Sequence, residues 1–284
     1  TQHGRALLSE PTAGTRRGLT DWQIALLEQQ RAWRKRSRHR FPDSHLWLWT
    51  DQSLAQASDF WCAQFKASLF PVGADVLDAC CGVGSDLVAL AARGPTTGID
   101  SDAVLAELAE SNVRAHGFAA SVRVAVLPQQ WPQDVPWLHI DPDRRAQGVR
   151  STDGQAFSPA LSDVLDMAET TQGAVIKLAP STTVPEDLAE RMETHSQRIW
   201  IGNLGECRQQ ILLTGQLMRE NAARRAYLCE PLASAETHSG SDGATRADDN
   251  MVVHEFFGEA SEPCPVEVLP GRYVFDLHNV LHAA

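Results

Sequence analysis

The chain has 284 residues, 43% of them hydrophobic, with 25 Lys and Arg against 36 Asp and Glu and a net charge of −11. This length suits one α/β domain with a smaller partner, and the acidic balance argues against indiscriminate binding to nucleic acid. No run reaches the roughly 18 apolar residues that a membrane helix needs, and no secretory leader is legible.

Residues 1–20 carry Gly, Pro, Thr and paired Arg16 and Arg17, and read as loose chain. Asp21 is placed to cap a helix from Trp22, with Ile24, Leu26 and Leu27 on its apolar side. This helix enters the run Arg31-Ala-Trp-Arg-Lys-Arg-Ser-Arg-His-Arg40, which holds six permanent positive charges and includes Arg34, Lys35 and Arg36. Phe41-Pro42 ends it. A second helix is predicted over 51–69, where Leu54, Ala57, Trp61, Phe65 and Leu69 are spaced for one face. Between the two, Trp47 and Trp49 alternate with Leu46 and Leu48, the pattern of a half-buried segment, with base stacking as the other use.

From Asp75 the pattern alternates. Strands are predicted near 75–80, 96–100, 121–126, 137–141, 173–178, 198–203 and 209–215, and helices near 84–93, 102–116, 158–170 and 186–195. Such alternation predicts a parallel sheet covered on both faces, and the closely spaced last two strands predict an antiparallel hairpin at its edge. Residues 232–250 lack apolar periodicity and read as a linker, followed by strands near 251–257 and 266–275 in a small terminal unit. Thr1 in place of Met, and an element that reads as cut short over 277–284, predict a fragment of a longer chain. Six cysteines are scattered at 62, 80, 81, 207, 229 and 264 without zinc spacing, which predicts reduced thiols in a cytoplasmic protein and no metal site.

The most informative stretch is Asp75-Val-Leu-Asp-Ala-Cys-Cys-Gly-Val-Gly-Ser-Asp-Leu87, a buried strand, a glycine turn and a helix start. The next strand ends at Asp100, 22 residues after Asp78, where a carboxylate can accept ribose hydroxyls. Leu87 occupies the third glycine position of G-x-G-x-x-G, so the dinucleotide fingerprint is broken. No Lys-Ser/Thr follows, so the turn is not a P-loop. It suits a nucleoside ligand of little negative charge, such as S-adenosylmethionine. Gly82 and Gly84 let the backbone approach such a ligand, and the helix-start amides can hold its carboxylate. Asp78 is placed to accept from its amino group. Cys80, Cys81, Asp86 and Ser101 complete the candidate cofactor set. A tight βα turn with surface acids is the plainer alternative.

Asp78-Ala-Cys-Cys-Gly-Val-Gly84 resembles motif I of class I S-adenosylmethionine-dependent methyltransferases, in the Asp-x-x-Cys-Gly-x-Gly form of trimethylguanosine-synthase-like RNA enzymes. Gln56-Ala-Ser58 with Phe65-Lys-Ala67, Ile140-Asp-Pro-Asp-Arg-Arg145 and Gly205-Glu-Cys207 resemble a bacterial family that carries a C-terminal THUMP-like domain. The resemblance implies a Rossmann-like, seven-stranded α/β domain over 71–230, a helical extension over 1–70 and a small α+β domain over 231–284. It also implies that Gln56, Ser58 and Lys66 form a lid over the cofactor, where spacing alone indicates ordinary packing.

Asp141-Pro-Asp-Arg-Arg145 follows the fourth strand. Amino-group methyltransferases have Asp/Asn-Pro-Pro-aromatic here, with the acid and the proline carbonyl orienting the acceptor. This chain keeps Asp141 and Pro142 but has no aromatic residue to stack a base. Arg144 and Arg145 suit bidentate contact with phosphate or carboxylate, a structural ion-pair knot being the alternative. Lys177, ending the fifth strand, can bind substrate or pair with Asp141. Glu206 lies past the sixth strand, near the same crevice or in a plain hairpin turn. Catalytic roles are expected for Asp141, Pro142 and Lys177, and substrate contacts for Arg144, Arg145, Glu206, Arg34, Lys35 and Arg36. The expected function is S-adenosylmethionine-dependent methyl transfer to RNA. The alternatives are a small-molecule or protein acceptor, or a non-catalytic binding module.

Overall fold

A computed structural model describes residues 8, 18–144, 154–179, 182, 184, 186–203, 206–219, 224–231, 245–248 and 251–258. Helix α1 (Asp21–Ser37) starts from a capping box. Thr20, one residue before the expected cap Asp21, accepts from the Gln23 amide, and Gln23 returns a bond to the Thr20 amide. The helix predicted over 51–69 is two helices, α2 (Asp51–Gln56) and α3 (Phe60–Ser68). Ala57 turns extended at ψ 138°, and the Asp59 carboxylate caps α3 by accepting from the Cys62 amide at 3.0 Å. A cap residue inside an apolar period ends one helix and starts the next.

The sheet core is β1 (Val76–Ala79), β2 (Thr96–Asp100), β3 (Ser121–Val124), β4 (Trp137–Ile140) and β5 (Gly173–Leu178), all parallel. The hairpin of β6 (Ser196–Asn203) and β7 (Glu206–Thr214) joins through β7, which runs antiparallel to both β5 and β6. Helices α4 (Ser85–Ala91), α5 (Ala103–Ala115), α6 (Leu161–Glu169) and α7 (Glu186–His195) cover the two faces.

Three expectations are corrected. The sheet has ten strands among the described residues, not seven, in the order β3-β2-β1-β4-β5-β7-β6-β8-β10-β9. The hairpin is therefore not an edge, because β8 (Arg224–Pro231) pairs in parallel with β6. Beyond β8 come β10 (Met251–Gly258) and β9 (Thr245–Asp248), so four of the residues read as linker are strand. The strand predicted over 266–275 lies outside the described residues.

One apolar cluster lies under α3 and α4, with Trp61, Phe65, Val175 and Ile211. A second lies under α6 and α7, with Leu138, Ile140, Leu161, Ile176 and Met192. A third joins the N-terminal extension to the glycine turn. Trp33, Phe41, Trp47 and Trp49 pack with Cys81, Val83 and Leu87. Trp47 and Trp49 are each 1% exposed and stack on one another at 5.1 Å, so they are core and cannot stack bases. Two buried amides fasten this segment. Gln30 bonds both the N–H and the carbonyl of Trp49, while Asn112 does the same for Leu48 and also donates to the Val83 carbonyl at 3.0 Å.

Candidate functional site

A cleft of about 660 Å3 opens at the carboxyl ends of β1 to β5. This is where the strand order reverses between β1 and β4, the ordinary ligand position of such sheets. The glycine turn forms its floor. Cys80, Gly82 and Gly84 all have positive φ, at 57°, 56° and 84°. At Cys80 this conformation is costly for a side chain, at about 1–3 kcal/mol. A Cβ at Gly82 would meet no protein atom within 4 Å, so the space beside it is open. One at Gly84 would meet Ala109 at 3.2 Å.

The third glycine of the dinucleotide motif normally lets the helix lie close on the sheet. Here that room comes from the opposite side. A Cβ on Gly98 of β2 would meet Leu87 at 2.9 Å and Cys81 Sγ at 3.2 Å. The glycine that admits the close packing stands on the strand rather than on the helix.

Asp100 ends β2 and accepts from the Gly82 amide at 2.8 Å and the Asp102 amide at 2.9 Å. It braces the turn while facing the cleft. Burial pushes its carboxyl above the usual range, against the pull of those two amides. Asp78 is fully buried from solvent. One of its oxygens lies 2.6 Å from His139 Nδ1, and the other has no hydrogen-bond partner among the described residues. Burial raises its carboxyl too, with His139 pulling the other way.

Behind the turn, Lys66 is 1% exposed and lies 2.8 Å from Asp86 and 2.9 Å from Ser58 Oγ. Ser58 also donates to Asp86 at 2.8 Å. Burial opposes ionisation of Asp86. Lys66, His139 and Lys177 together outweigh it and hold the carboxyl well below the usual range. Ser58 and Lys66 therefore support the glycine-turn helix from within. Gln56 lines the cleft itself.

Asp141 follows β4 and is paired by Lys177 of β5 at 2.5 Å. Burial disfavours charge on Lys177. Asp141, with Asp86 behind it, reverses that and raises the ammonium above its usual value. Pro142, Arg144, Cys81 and Ser101 also line the cleft. The Cys80 thiol is pushed well up by burial, then by Asp100 and Asp141. It stays protonated and is a poor nucleophile.

Among the described residues, the other expected substrate residues are not in the cleft lining. Arg145 is outside the described residues. Glu206 is exposed and pairs with Arg208 at 2.7 Å. Arg34 is 9% exposed and donates from Nε to the Trp47 carbonyl at 2.8 Å, so it faces inward. Arg40 also turns inward, to the carbonyls of Leu54 and Ala57. Lys35 and Arg36 are exposed, and Arg36 pairs with Asp51 at 3.2 Å.

Sequence reasoning missed His139 and Asn112. His139 carried a legible signal, as a polar residue within the apolar strand Trp137-Leu-His-Ile140, two positions before Asp141 and so on its face. Asn112 carried none, because its partners are 64 and 29 positions away.

No protein-family profile and no curated protein matches the chain. Solved structures do. A protein of Porphyromonas gingivalis W83, provisionally assigned as a methyltransferase, is 18% identical with a TM-score of 0.61 over 79% of this chain. The match spans 60% of that protein's length. A TehB-like SAM-dependent methyltransferase of Corynebacterium glutamicum is 16% identical over 66% of this chain and 98% of its own, with a TM-score of 0.40. The first likeness shows the Rossmann-like α/β fold.

Proposed function

We propose that this chain is a class I S-adenosylmethionine-dependent methyltransferase acting on RNA. The observation that carries the methyltransferase reading is the unpartnered oxygen of Asp78, set in one cleft with an open glycine turn and the Asp100 carboxylate. A buried acceptor without a donor is costly, and an ammonium group would satisfy it. The left-handed turn leaves room for the middle of the ligand. Asp100 would accept the ribose hydroxyls. The acidic lining favours a cationic ligand over a dinucleotide.

S-adenosylmethionine supplies a methyl group bound to sulfonium sulfur. Alignment of the acceptor and exclusion of water are the protein's part. Lys177 pairs with Asp141 and holds it in place, and Asp141 accepts a hydrogen bond from the acceptor and turns the acceptor's lone pair toward the donor. Pro142 holds that backbone in place. Arg144 meets an anionic part of the substrate.

Support for RNA comes from the exposed end of α1. Lys35 and Arg36 stand there, and Asp51, the partner of Arg36, is flanked by Thr50 and Gln52 of the cleft wall. A small-molecule or protein acceptor is favoured instead by the inward turn of Arg34 and Arg40. We also propose that 231–284 forms the small C-terminal domain of the resembled family, continuing the sheet through β10. Methyl transfer from labelled S-adenosylmethionine to RNA, protein and metabolite pools tests the proposal. Label in RNA alone supports it, label in another pool moves the acceptor, and none in any pool removes the activity.

A further inference from the structure

A band of polar side chains runs through one face of the sheet where apolar packing would be expected. Asp78 on β1, His139 on β4, Lys177 on β5 and Gln209 on β7 lie on adjacent strands. Their registers, Asp78 with His139 and Lys177 with Ile211, put them on one face. Ser58, Lys66 and Asp86 close over them from the helical side.

His139 sits at the middle. It is 0% exposed, with Nδ1 at 2.6 Å from Asp78 and Nε2 at 3.9 Å from Asp86. The side chains beside it along the strand, Leu138 and Ile140, are fully buried and apolar. Apolar residues at 78 and 139 would fill this space without the desolvation that buried polar groups suffer. The pair needs a use, and the second oxygen of Asp78 indicates one. Asp78 lines the cleft, and this oxygen is buried without a hydrogen-bond partner among the described residues, while Oδ1 is bound by His139.

We infer that His139 is a positioning residue: its Nδ1–H fixes the Asp78 carboxylate so that the free oxygen meets the ammonium group of the ligand's amino-acid end. Asp86, itself held by Lys66 and Ser58, lies 3.9 Å from Nε2, beyond hydrogen-bond distance, so the Nδ1 bond alone carries the positioning. This inference rests on the proposed function.

The test compares two neutral thioethers that differ in the amino-acid arm, S-adenosylhomocysteine and 5′-methylthioadenosine. Both are titrated calorimetrically into the full chain. His139→Leu should weaken the first by about ten- to hundredfold, the worth of a charged hydrogen bond, and leave the second nearly unchanged. The ratio of the two affinities is read within each preparation, so a partly unfolded sample does not imitate the effect. Asn places its amide nitrogen near the position of Nδ1, whereas Gln places it near Nε2. His139→Asn should therefore keep the wild-type ratio and His139→Gln should lose it. This pair decides the matter should His139→Leu fail to fold. An unchanged ratio in His139→Leu, or equal ratios in the Asn and Gln variants, overturns the inference and leaves the methyltransferase reading standing. A wild-type chain that binds neither compound overturns both.

Discussion

Lys177 reaches from β5 to Asp141 at the end of the neighbouring strand and closes a 2.5 Å ion pair at the mouth of the cleft. The two partners differ in exposure, at 9% for the lysine side chain and 31% for the aspartate. The lysine is spent on the pair, and the aspartate keeps lone pairs facing the cleft. Under the proposed function, Lys177 therefore positions Asp141, and Asp141 is the group that would meet the acceptor.

Asp141→Asn should accordingly cut methyl transfer by about 10²–10⁴-fold, the range for a positioned acid–base group. S-adenosylmethionine affinity should hardly move. Steady-state rates beside calorimetry check both, and parallel losses in the two would reassign Asp141 to cofactor binding.

Asp100→Asn should weaken S-adenosylmethionine by about 1.5–3 kcal/mol for each charged hydrogen bond lost. Because burial raises this carboxyl, protonation begins at a higher pH than for an ordinary aspartate. Wild-type affinity should fall as pH drops through that raised range, whereas the Asn variant should show a flatter profile. Titrations from neutral pH downward provide the check.

Lys66→Met should destabilise the fold by about 3–5 kcal/mol, since it strands the buried Asp86 charge. Adding Asp86→Leu should recover much of the loss. The folded Asp86 carboxyl is depressed, so its contribution is complete above the unfolded pKa, about 3.9, and is lost as pH falls through the folded value. The stability gap between wild type and Asp86→Asn should be constant at neutral pH and narrow below about pH 4. Denaturant melts across pH measure it.

The basic run divides by exposure. Replacing Lys35, Arg36 and Arg38 with Gln should flatten the salt dependence of single-stranded RNA binding by about 0.7 log units per phosphate contact, with little change in stability. Arg34→Gln should lower the melting temperature instead, because it removes the bond to the Trp47 carbonyl. Were the triple variant to melt early and bind RNA normally, the charges would belong to the fold.

The strands β1 to β7 and the helices between them were legible because period and punctuation agree locally, from Val76 to Thr214. The glycine turn was legible for the same reason, since Asp78, Gly82, Gly84 and Asp100 stand at the spacing of a strand, a tight turn and a second strand end. What escaped depends on distant pairings. The inward turn of Arg34 needs the Trp47 carbonyl, 13 positions away. The split at Ala57 needs Asp59 to act as a cap, although the apolar spacing runs straight through it. The compensation between Leu87 and Gly98 shows only when helix and strand are packed together. Strand β8 was missed because its place is set by pairing with β6, Ile199 with Arg225, across a long stretch of chain.

The strand order also bears on how the chain comes together. β7 lies between β5 and β6, so β6 has no partner in the parallel core when it leaves the ribosome. It reaches the core only through β7, which ends at Thr214. β8 adds afterwards, alongside β6. The growing protein thus presents a bare β5 border, Gly173–Leu178, while about forty further residues are made, a few seconds of synthesis at about 5–20 residues per second. During that interval this wholly buried strand, apolar but for Lys177, is a surface open to pairing with another nascent copy.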